Sequence, residues 1–317
     1  MKLPKFNECI IHIGTEKTGT KTLQEFFYKN RSVLSKNGIF FPKTFGNKNH
    51  FKLAVYACAD HKKDDLRKNL GLKNLPLIKN FRHDLEISFN QEIRNQSCKR
   101  LLLSGEHMQS RLTRVEEIQS LKNFLDKFVT NYKIIVYLRS QVEMAISLYS
   151  TFLISGNIRE TVLPNVDEKN LYYNHEKLLE RWSYVFSSEN IIPRIFNKNE
   201  LLDHDVKRDF IGLLGLNWNE FEDVPNFNES LNANSQRFLL RINKFFSRFN
   251  GVKPNKAREV LVKFVSHNNK GKGLLPSAEQ AKNFYNIFVE SNERVRKKWF
   301  PKRKILFEVD FSVYPEK

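Results

Sequence analysis

The sequence contains few cysteines and no long apolar run. Only Cys9, Cys58 and Cys98 occur among 317 residues. Their odd number and wide spacing argue against a disulfide framework and a zinc site. The apolar run at Cys9–Ile13 is too short for a signal peptide, and no run approaches the length of a membrane span. We therefore expect a reduced, cytoplasmic protein. Internal repeats and linker-like stretches are also lacking, so we expect a single domain over residues 1–317.

Acidic side chains are scarce relative to basic ones. The chain has 35 Asp and Glu against 53 Lys and Arg, which gives a formal net charge of +18. Two interpretations remain open: a lysine-rich soluble surface, or an anionic ligand such as a nucleotide, an acidic polysaccharide or a membrane. The densest basic run, Arg294–Lys304, is interpreted either as a solvated helix end or as a peripheral contact with anionic lipid. No nucleic-acid module accompanies it, so we expect no nucleic-acid partner.

Apolar runs of strand length recur along the chain, and helical apolar stripes lie between most of them. The runs are Cys9–Ile13, Ile39–Phe41, Arg100–Leu103, Lys133–Leu138, Ile191–Phe196 and Ile305–Phe307. This alternation predicts an α/β fold with a parallel central sheet flanked by helices, its core spanning about residues 8–215. A helical C-terminal part is predicted over about 228–300, with helices at Asn234–Phe249, Lys256–Val265 and Ser277–Trp299.

The first strand runs directly into a loop and a helix, in the stretch CIIHIGTEKTGTKTLQ from Cys9 to Gln24. A helix that starts at such a loop presents backbone N–H groups and its positive dipole end, which together bind anions. Gly19 allows a close backbone approach, Lys17 and Lys21 add cations, and four hydroxyls come from Thr15, Thr18, Thr20 and Thr22. The alternative is a turn that merely starts a helix.

This loop departs from the nucleotide-hydrolase pattern. Gly14 and Gly19 have the Walker A separation, but Thr20 occupies the lysine position and Lys21 comes one residue late. Such hydrolases also hold magnesium through an acid on a neighbouring strand. Here the strand Lys133–Leu138 is followed by Arg139. The pattern therefore favours a phosphate site without a metal.

A second anion site is predicted around Arg139. An arginine at the end of an apolar strand needs an anionic partner. Ser140 and Glu143 match a capping box, which predicts a helix starting at Ser140. Ser147 then lies about two turns into that helix. Arg139 and Ser147 can hold one phosphate between them.

These motifs resemble those of the sulfotransferases that use 3′-phosphoadenosine 5′-phosphosulfate (PAPS). Glu16–Leu23 (EKTGTKTL) is similar to their 5′-phosphosulfate loop, and Arg139 with Ser147 to their 3′-phosphate motif. The residues flanking the loop are most similar to the bacterial branch that modifies cell-surface carbohydrates. Asn268–Gly273 (NNKGKG) resembles the third, glycine-rich basic segment. The resemblance implies a P-loop-like sulfotransferase fold, PAPS as co-substrate, 3′-phosphoadenosine 5′-phosphate (PAP) as product, and no metal.

The resemblance also implies individual roles. Lys17 would stabilise the bridging oxygen of the leaving phosphate, and Arg139 and Ser147 would bind the 3′-phosphate with support from Lys270. The 5′-phosphate would be held, mostly through backbone N–H groups, by Thr18, Gly19, Thr20 and Thr22. Many family members carry threonine where Lys21 stands, so a hydroxyl contact is replaced by a cation.

A hydroxyl acceptor also needs a general base within hydrogen-bond reach. The run Arg100–His107 (RLLLSGEH) ends in Ser104, Glu106 and His107. We favour Glu106 as the base, with His107 as the alternative. His50 is a loop histidine that either faces the acceptor or is simply solvated.

The positive net charge suits an acidic or lipid-linked sugar as the acceptor, and the resemblance narrows the class further. The resemblance implies a hydroxyl or amine of a carbohydrate or lipid-linked sugar, modified in the cytoplasm or at the inner face of the membrane. Two alternatives remain open. One is a kinase or other phosphotransferase that uses ATP and magnesium, and the other is a non-catalytic protein that binds glycans or anions.

Overall fold

The computed structural model describes residues 5–227, 230–250 and 253–316. These residues form two compact units, the first made of residues up to 138 and 175–226, and the second of 139–174 and the chain from 227 onward. The α/β core predicted for residues 8–215 is therefore interrupted, because 139–174 groups with the C-terminal helices. The single domain over residues 1–317 stays a prediction.

The strands are β1 (Phe6–His12), β2 (Ile39–Phe40), β3 (Arg100–Ser104), β4 (Val129–Leu138), β5 (Ile191–Ile195), β6 (Phe249–Asn250) and β7 (Lys253–Pro254). The α-helices are α1 (Thr20–Lys29), α2 (Arg31–Lys36), α3 (Phe51–Ala57), α4 (Asp65–Asn69), α5 (Leu75–Glu92), α6 (His107–Arg111), α7 (Val115–Leu125), α8 (Gln141–Ile154), α9 (His175–Phe186), α10 (Val206–Leu213), α11 (Ala233–Phe245), α12 (Lys256–Asn268), α13 (Ala278–Asn286) and α14 (Val289–Trp299). Short 3₁₀ turns occur at Ser188–Asn190, Leu202–His204, Trp218–Glu220 and Phe311–Val313.

The first unit is built on a five-stranded sheet with the order β2-β3-β1-β4-β5. Every neighbouring pair of these strands is parallel. Ile10 of β1 packs in one apolar cluster with Phe26 of α1 and Phe210 of α10. Its neighbours Cys9 and Ile11 point to the opposite face and are also fully buried. Both faces of the sheet are therefore covered, which confirms the predicted α/β class.

The second unit is mainly helical, as predicted. Its core joins α8, α11 and α12 through Leu153, Leu239 and Val262. A polar contact reinforces this packing, because Asn243 Nδ2 donates to Leu153 O at 2.8 Å. The short strands β6 and β7 pair as an antiparallel hairpin between α11 and α12.

Two sequence predictions in the second unit are wrong. The run Ile305–Phe307 is not a strand: Leu306 and Phe307 are buried, but the run pairs with no described strand. The predicted helix Ser277–Trp299 is two helices, α13 and α14, which separate at Phe288. Phe288 is fully buried and packs near Phe284, so core packing there overrides a helical pattern that would otherwise continue. Among the described helices, none has both the length and the apolar character needed to cross a membrane.

Candidate active site

The loop between β1 and α1 is fixed to the sheet beyond the last residue of β1. Ile13 N donates to Ile135 O at 3.1 Å. Thr15 N donates to Tyr137 O at 3.0 Å, and Tyr137 N donates to Gly14 O at 2.7 Å. These bonds extend the pairing with β4. The loop therefore leaves from a rigid point at the carboxyl ends of the parallel strands, where open α/β sheets bind ligands.

Two loop threonines use their hydroxyl groups to build the loop. Thr15 Oγ1 donates to Tyr137 O at 3.0 Å, and Thr18 Oγ1 donates to Thr15 O at 2.6 Å. Both side chains are fully buried. These hydroxyl protons are therefore engaged inside the protein, and the backbone is the group through which Thr18 can donate to an anion.

The helix α1 begins directly after this loop and has no side-chain cap. Gly19 is the N-cap residue in the left-handed conformation (φ 74°, ψ 14°), and the first turn contains no acid. Lys17 is also left-handed, with φ 67°. Thr20 and Thr22 are buried at this end, whereas Lys21 is exposed and Lys17 half-buried. An uncapped helix N-terminus flanked by lysines has the chemistry of a phosphate site.

Replacing Gly19 by alanine should destabilise the first unit more than the same change at Gly71. Both glycines are left-handed, at φ 74° and 72°, so alanine costs about 1 kcal/mol at each. A Cβ at Gly19 would also stand 3.1 Å from Val206 Cγ1, whereas a Cβ at Gly71 would meet nothing within 4 Å. Urea unfolding of Gly19→Ala and Gly71→Ala measures the difference. Equal losses would contradict the tight packing behind the loop.

Glu106 lies against the same loop. A Cβ on Gly14 would stand 3.2 Å from the Cβ of Glu106. Gln24 Nε2 donates to Glu106 Oε2 at 2.6 Å, and Asn49 Nδ2 lies 3.0 Å from both carboxylate oxygens. A carboxylate accepts about four hydrogen bonds, so the two amides orient Glu106 without using its whole capacity. The structure thus brings the predicted base and the predicted anion loop together.

The two amides that hold Glu106 are not among the site residues predicted from the sequence. Gln24 is only 5% exposed, and it stands beside Leu23 within the apolar side of α1. A buried amide in such a stripe is a signal that sequence can give, because it requires a polar partner. Asn49 lies in a polar loop and gives no comparable signal.

His107, the alternative base, begins α6 directly after Glu106. It is half-buried, and its Nδ1 atom is buried with no hydrogen-bond partner among the described residues. The third candidate on this edge, Ser104, is engaged elsewhere: its Oγ lies 2.9 Å from His12 Nδ1. His12 was not singled out from sequence. It is fully buried, and burial lowers its pKa to about 3, so its ring is neutral at neutral pH.

The expectation that His50 faces the acceptor or the solvent is wrong. Its side chain is fully buried, between the rings of Phe41 and Phe45. Its Nδ1 accepts from Ser104 N at 3.1 Å, and its Nε2 donates to Pro42 O at 3.0 Å. Burial lowers the pKa of this ring to about 3. His50 therefore ties its loop to the end of β3 and has no ring nitrogen left for a substrate.

The second predicted motif lies in the second unit, where α8 begins. Ser140 is the N-cap residue, as predicted. The predicted capping box is wrong, because the Ser140 side chain makes no hydrogen bond to the first turn of α8. Glu143 instead approaches Arg139, with Oε2 3.4 Å from Nε, since the two are one helical turn apart. Ser147 is half-buried one turn further along α8. Glu143 is 48% exposed, so a phosphate can replace it beside Arg139 at little cost.

The third motif is tied to the same helix. Leu231 and Lys270 form an antiparallel bridge. Leu231 N donates to Ser150 Oγ at 2.9 Å, and Gln236 Nε2 donates to that hydroxyl at 2.8 Å. Ser150 stands one turn after Ser147 on α8. The structure therefore connects the predicted second and third motifs within one unit, with the Lys270 side chain exposed.

Comparisons with known proteins give structural likenesses only. No protein-family model and no curated protein matches the chain. It is similar to the crystal structure of a sulfotransferase from Alicyclobacillus acidocaldarius, with TM-score 0.46 and 13% identity over 93% of this chain and 96% of that one. It is also similar to the sulfotransferase domain from the curacin biosynthetic pathway, with TM-score 0.40 and 11% identity over 94% and 98%. At this level of similarity, function depends on the residues of the site itself.

Proposed function

We propose that the chain is a PAPS-dependent sulfotransferase that acts on a hydroxyl or amine of a carbohydrate or lipid-linked sugar. The observation that carries this proposal is the position of Glu106 beside the uncapped, lysine-flanked N-terminus of α1. A transferase of this kind needs an anion site for the leaving phosphate and a base for the acceptor proton. The first unit provides residues of both types at one edge of its sheet.

The proposed reaction is a direct in-line transfer. The acceptor oxygen attacks sulfur, the new S–O bond forms, and the bond from sulfur to the bridging oxygen breaks to release PAP. Glu106 takes the acceptor proton, with His107 as the alternative base. Such a loose transition state is stabilised mainly by positioning and by charge neutralisation. Lys17 would neutralise the charge that develops on the bridging oxygen.

The nucleotide would be bound through both of its phosphate ends. Backbone N–H groups in the loop would hold the 5′-phosphate, at Thr18, Gly19, Thr20 and Thr22, with Lys21 as an exposed cation at the rim. Arg139 and Ser147 would hold the 3′-phosphate, supported by Lys270. The order of the motifs in the sequence supports the proposal that one nucleotide engages both sites, and a binding experiment tests it directly.

Replacing Arg139 by alanine should weaken PAP binding by about 10-fold or more, which corresponds to 1.4 kcal/mol. The same change should leave the binding of adenosine 5′-phosphate unaltered, because that nucleotide lacks the 3′-phosphate. Calorimetric titration without metal measures the affinities of the unmodified protein and of Arg139→Ala for both nucleotides. The matched control for lost charge is Lys36→Ala, which replaces an exposed lysine on α2.

Three results would contradict the proposal in different ways. An equal loss of affinity for both nucleotides would mean that Arg139 does not bind the 3′-phosphate specifically. A preference for ATP with magnesium would favour a phosphotransferase. No nucleotide binding at all, combined with glycan binding, would favour a non-catalytic protein.

A further inference from the structure

Two helices of the second unit carry large apolar side chains on their solvent-exposed sides. On α11, Phe238 is 42% and Phe245 is 83% exposed; on α12, Val260 is 69% and Phe264 is 65% exposed. Spacings of seven and four residues place each pair on one side of its helix. Exposed apolar side chains are normal on a protein surface when scattered singly, whereas several on neighbouring helices point to an interaction site.

These exposed sides belong to helices whose opposite sides are already packed. Arg258 of α12 donates from Nη2 to Asn243 Oδ1 of α11 at 2.9 Å. Leu239 of α11 shares a buried cluster with Val262 and Val265 of α12. The two helices thus share one core, and their exposed apolar side chains are not part of it.

The same sides are basic. The exposed side chains include Arg237 and Arg241 on α11, and Lys256 and Lys263 on α12. The sequence of α11 contains no acid, and that of α12 contains only Glu259. Phenylalanine interleaved with lysine and arginine is the composition of helices that lie in the interface of anionic membranes.

We propose that this surface, the α11–α12 face, docks peripherally on an anionic lipid bilayer. The apolar side chains would enter the boundary between headgroups and acyl chains, and the cations would contact acidic headgroups. A second copy of the chain is a poorer occupant, because a symmetric dimer would bring the same cations together. The inference goes beyond the proposed function and needs no nucleotide, and it would place the enzyme where lipid-linked acceptors are found.

Co-sedimentation with vesicles tests this directly. We expect binding to vesicles containing about one-third phosphatidylglycerol, little binding to phosphatidylcholine alone, and weakening by salt. Phe245→Ser with Phe264→Ser should weaken binding at least 10-fold. The matched control, Tyr184→Ser with Leu202→Ser, removes exposed apolar groups from the first unit and should bind normally. Arg241→Glu with Lys263→Glu should likewise lose binding, unlike Lys36→Glu with Lys198→Glu.

Circular dichroism and PAP titration of every variant separate lost docking from lost folding or lost nucleotide binding. Equal weakening in the α11–α12 variants and in the controls would overturn the proposal, since binding would then reflect only the overall charge. An absence of vesicle binding by the unmodified protein would also overturn it. So would a dimer in sedimentation velocity that dissociates in Phe245→Ser with Phe264→Ser, because a second copy would then cover the face.

Discussion

Replacing Glu106 by glutamine should lower kcat by about 10²- to 10⁴-fold, the range that a general base contributes. The substitution preserves the size and shape of the side chain. Its carbonyl oxygen can still accept from Gln24 or Asn49, so the local structure should persist. PAP affinity should change little, because the carboxylate contributes a proton acceptor and not a phosphate ligand. The loss should therefore fall on kcat rather than on KM for PAPS.

The matched variant is His107→Gln, at the neighbouring position on the same edge. Release of PAP from PAPS, measured with the most active acceptor from a panel of glycans and glycolipids, compares the two. A large loss in Glu106→Gln and a small loss in His107→Gln would assign the base. The reverse order would mean that His107 is the base. Full activity in both variants would mean that neither residue takes part in the proton transfer.

The parts of the site that sequence could predict are those set by local chain geometry. A strand, a Gly/Thr/Lys turn and a helix follow one another between Cys9 and Gln24, and the structure contains β1, the loop and α1 in these places. The ends of β3 and β4 are predictable in the same way, because their apolar runs stop at polar residues. Because the carboxyl ends of parallel strands share one edge, Glu106 could be expected near the loop.

The contacts that sequence missed join residues far apart in the chain. Gln24 and Asn49 meet Glu106 across separations of 82 and 57 residues, and no local pattern encodes such a contact. The burial of His50 escapes prediction for the same reason. It lies in a polar stretch, but Phe41 and Phe45 fold over its ring and bury it. Ser140 and Glu143 had capping-box spacing, yet Glu143 is drawn to the nearby cation of Arg139 instead.

Lowering the pH from 7 to 5 should cost the protein about 4 kcal/mol of unfolding free energy through His12 and His50. Burial lowers the pKa of each ring to about 3 in the folded state, against an ordinary value of 6.5. Between these two pKa values only the unfolded chain takes up the protons. The contribution of the two histidines to the unfolding free energy is therefore fully present above about pH 6.5 and is lost as the pH falls. At pH 5, which is about 1.5 units below the ordinary pKa, protonation stabilises the unfolded state by about 2 kcal/mol for each histidine.

Urea unfolding of the unmodified protein and of His50→Asn, at pH 8, 7 and 5, isolates the contribution of one ring. The asparagine keeps a hydrogen-bond acceptor near the position of Nδ1 for Ser104 N but cannot take up a proton. His50→Asn should be less stable at pH 7, because Pro42 O loses its donor, while its loss between pH 7 and 5 should be about 2 kcal/mol smaller. Between pH 8 and 7 the two proteins should change in parallel. Equal losses down to pH 5 would mean that His50 takes up its proton in the folded state as readily as in the unfolded chain, so the tie between its loop and β3 would be weaker than the buried geometry implies.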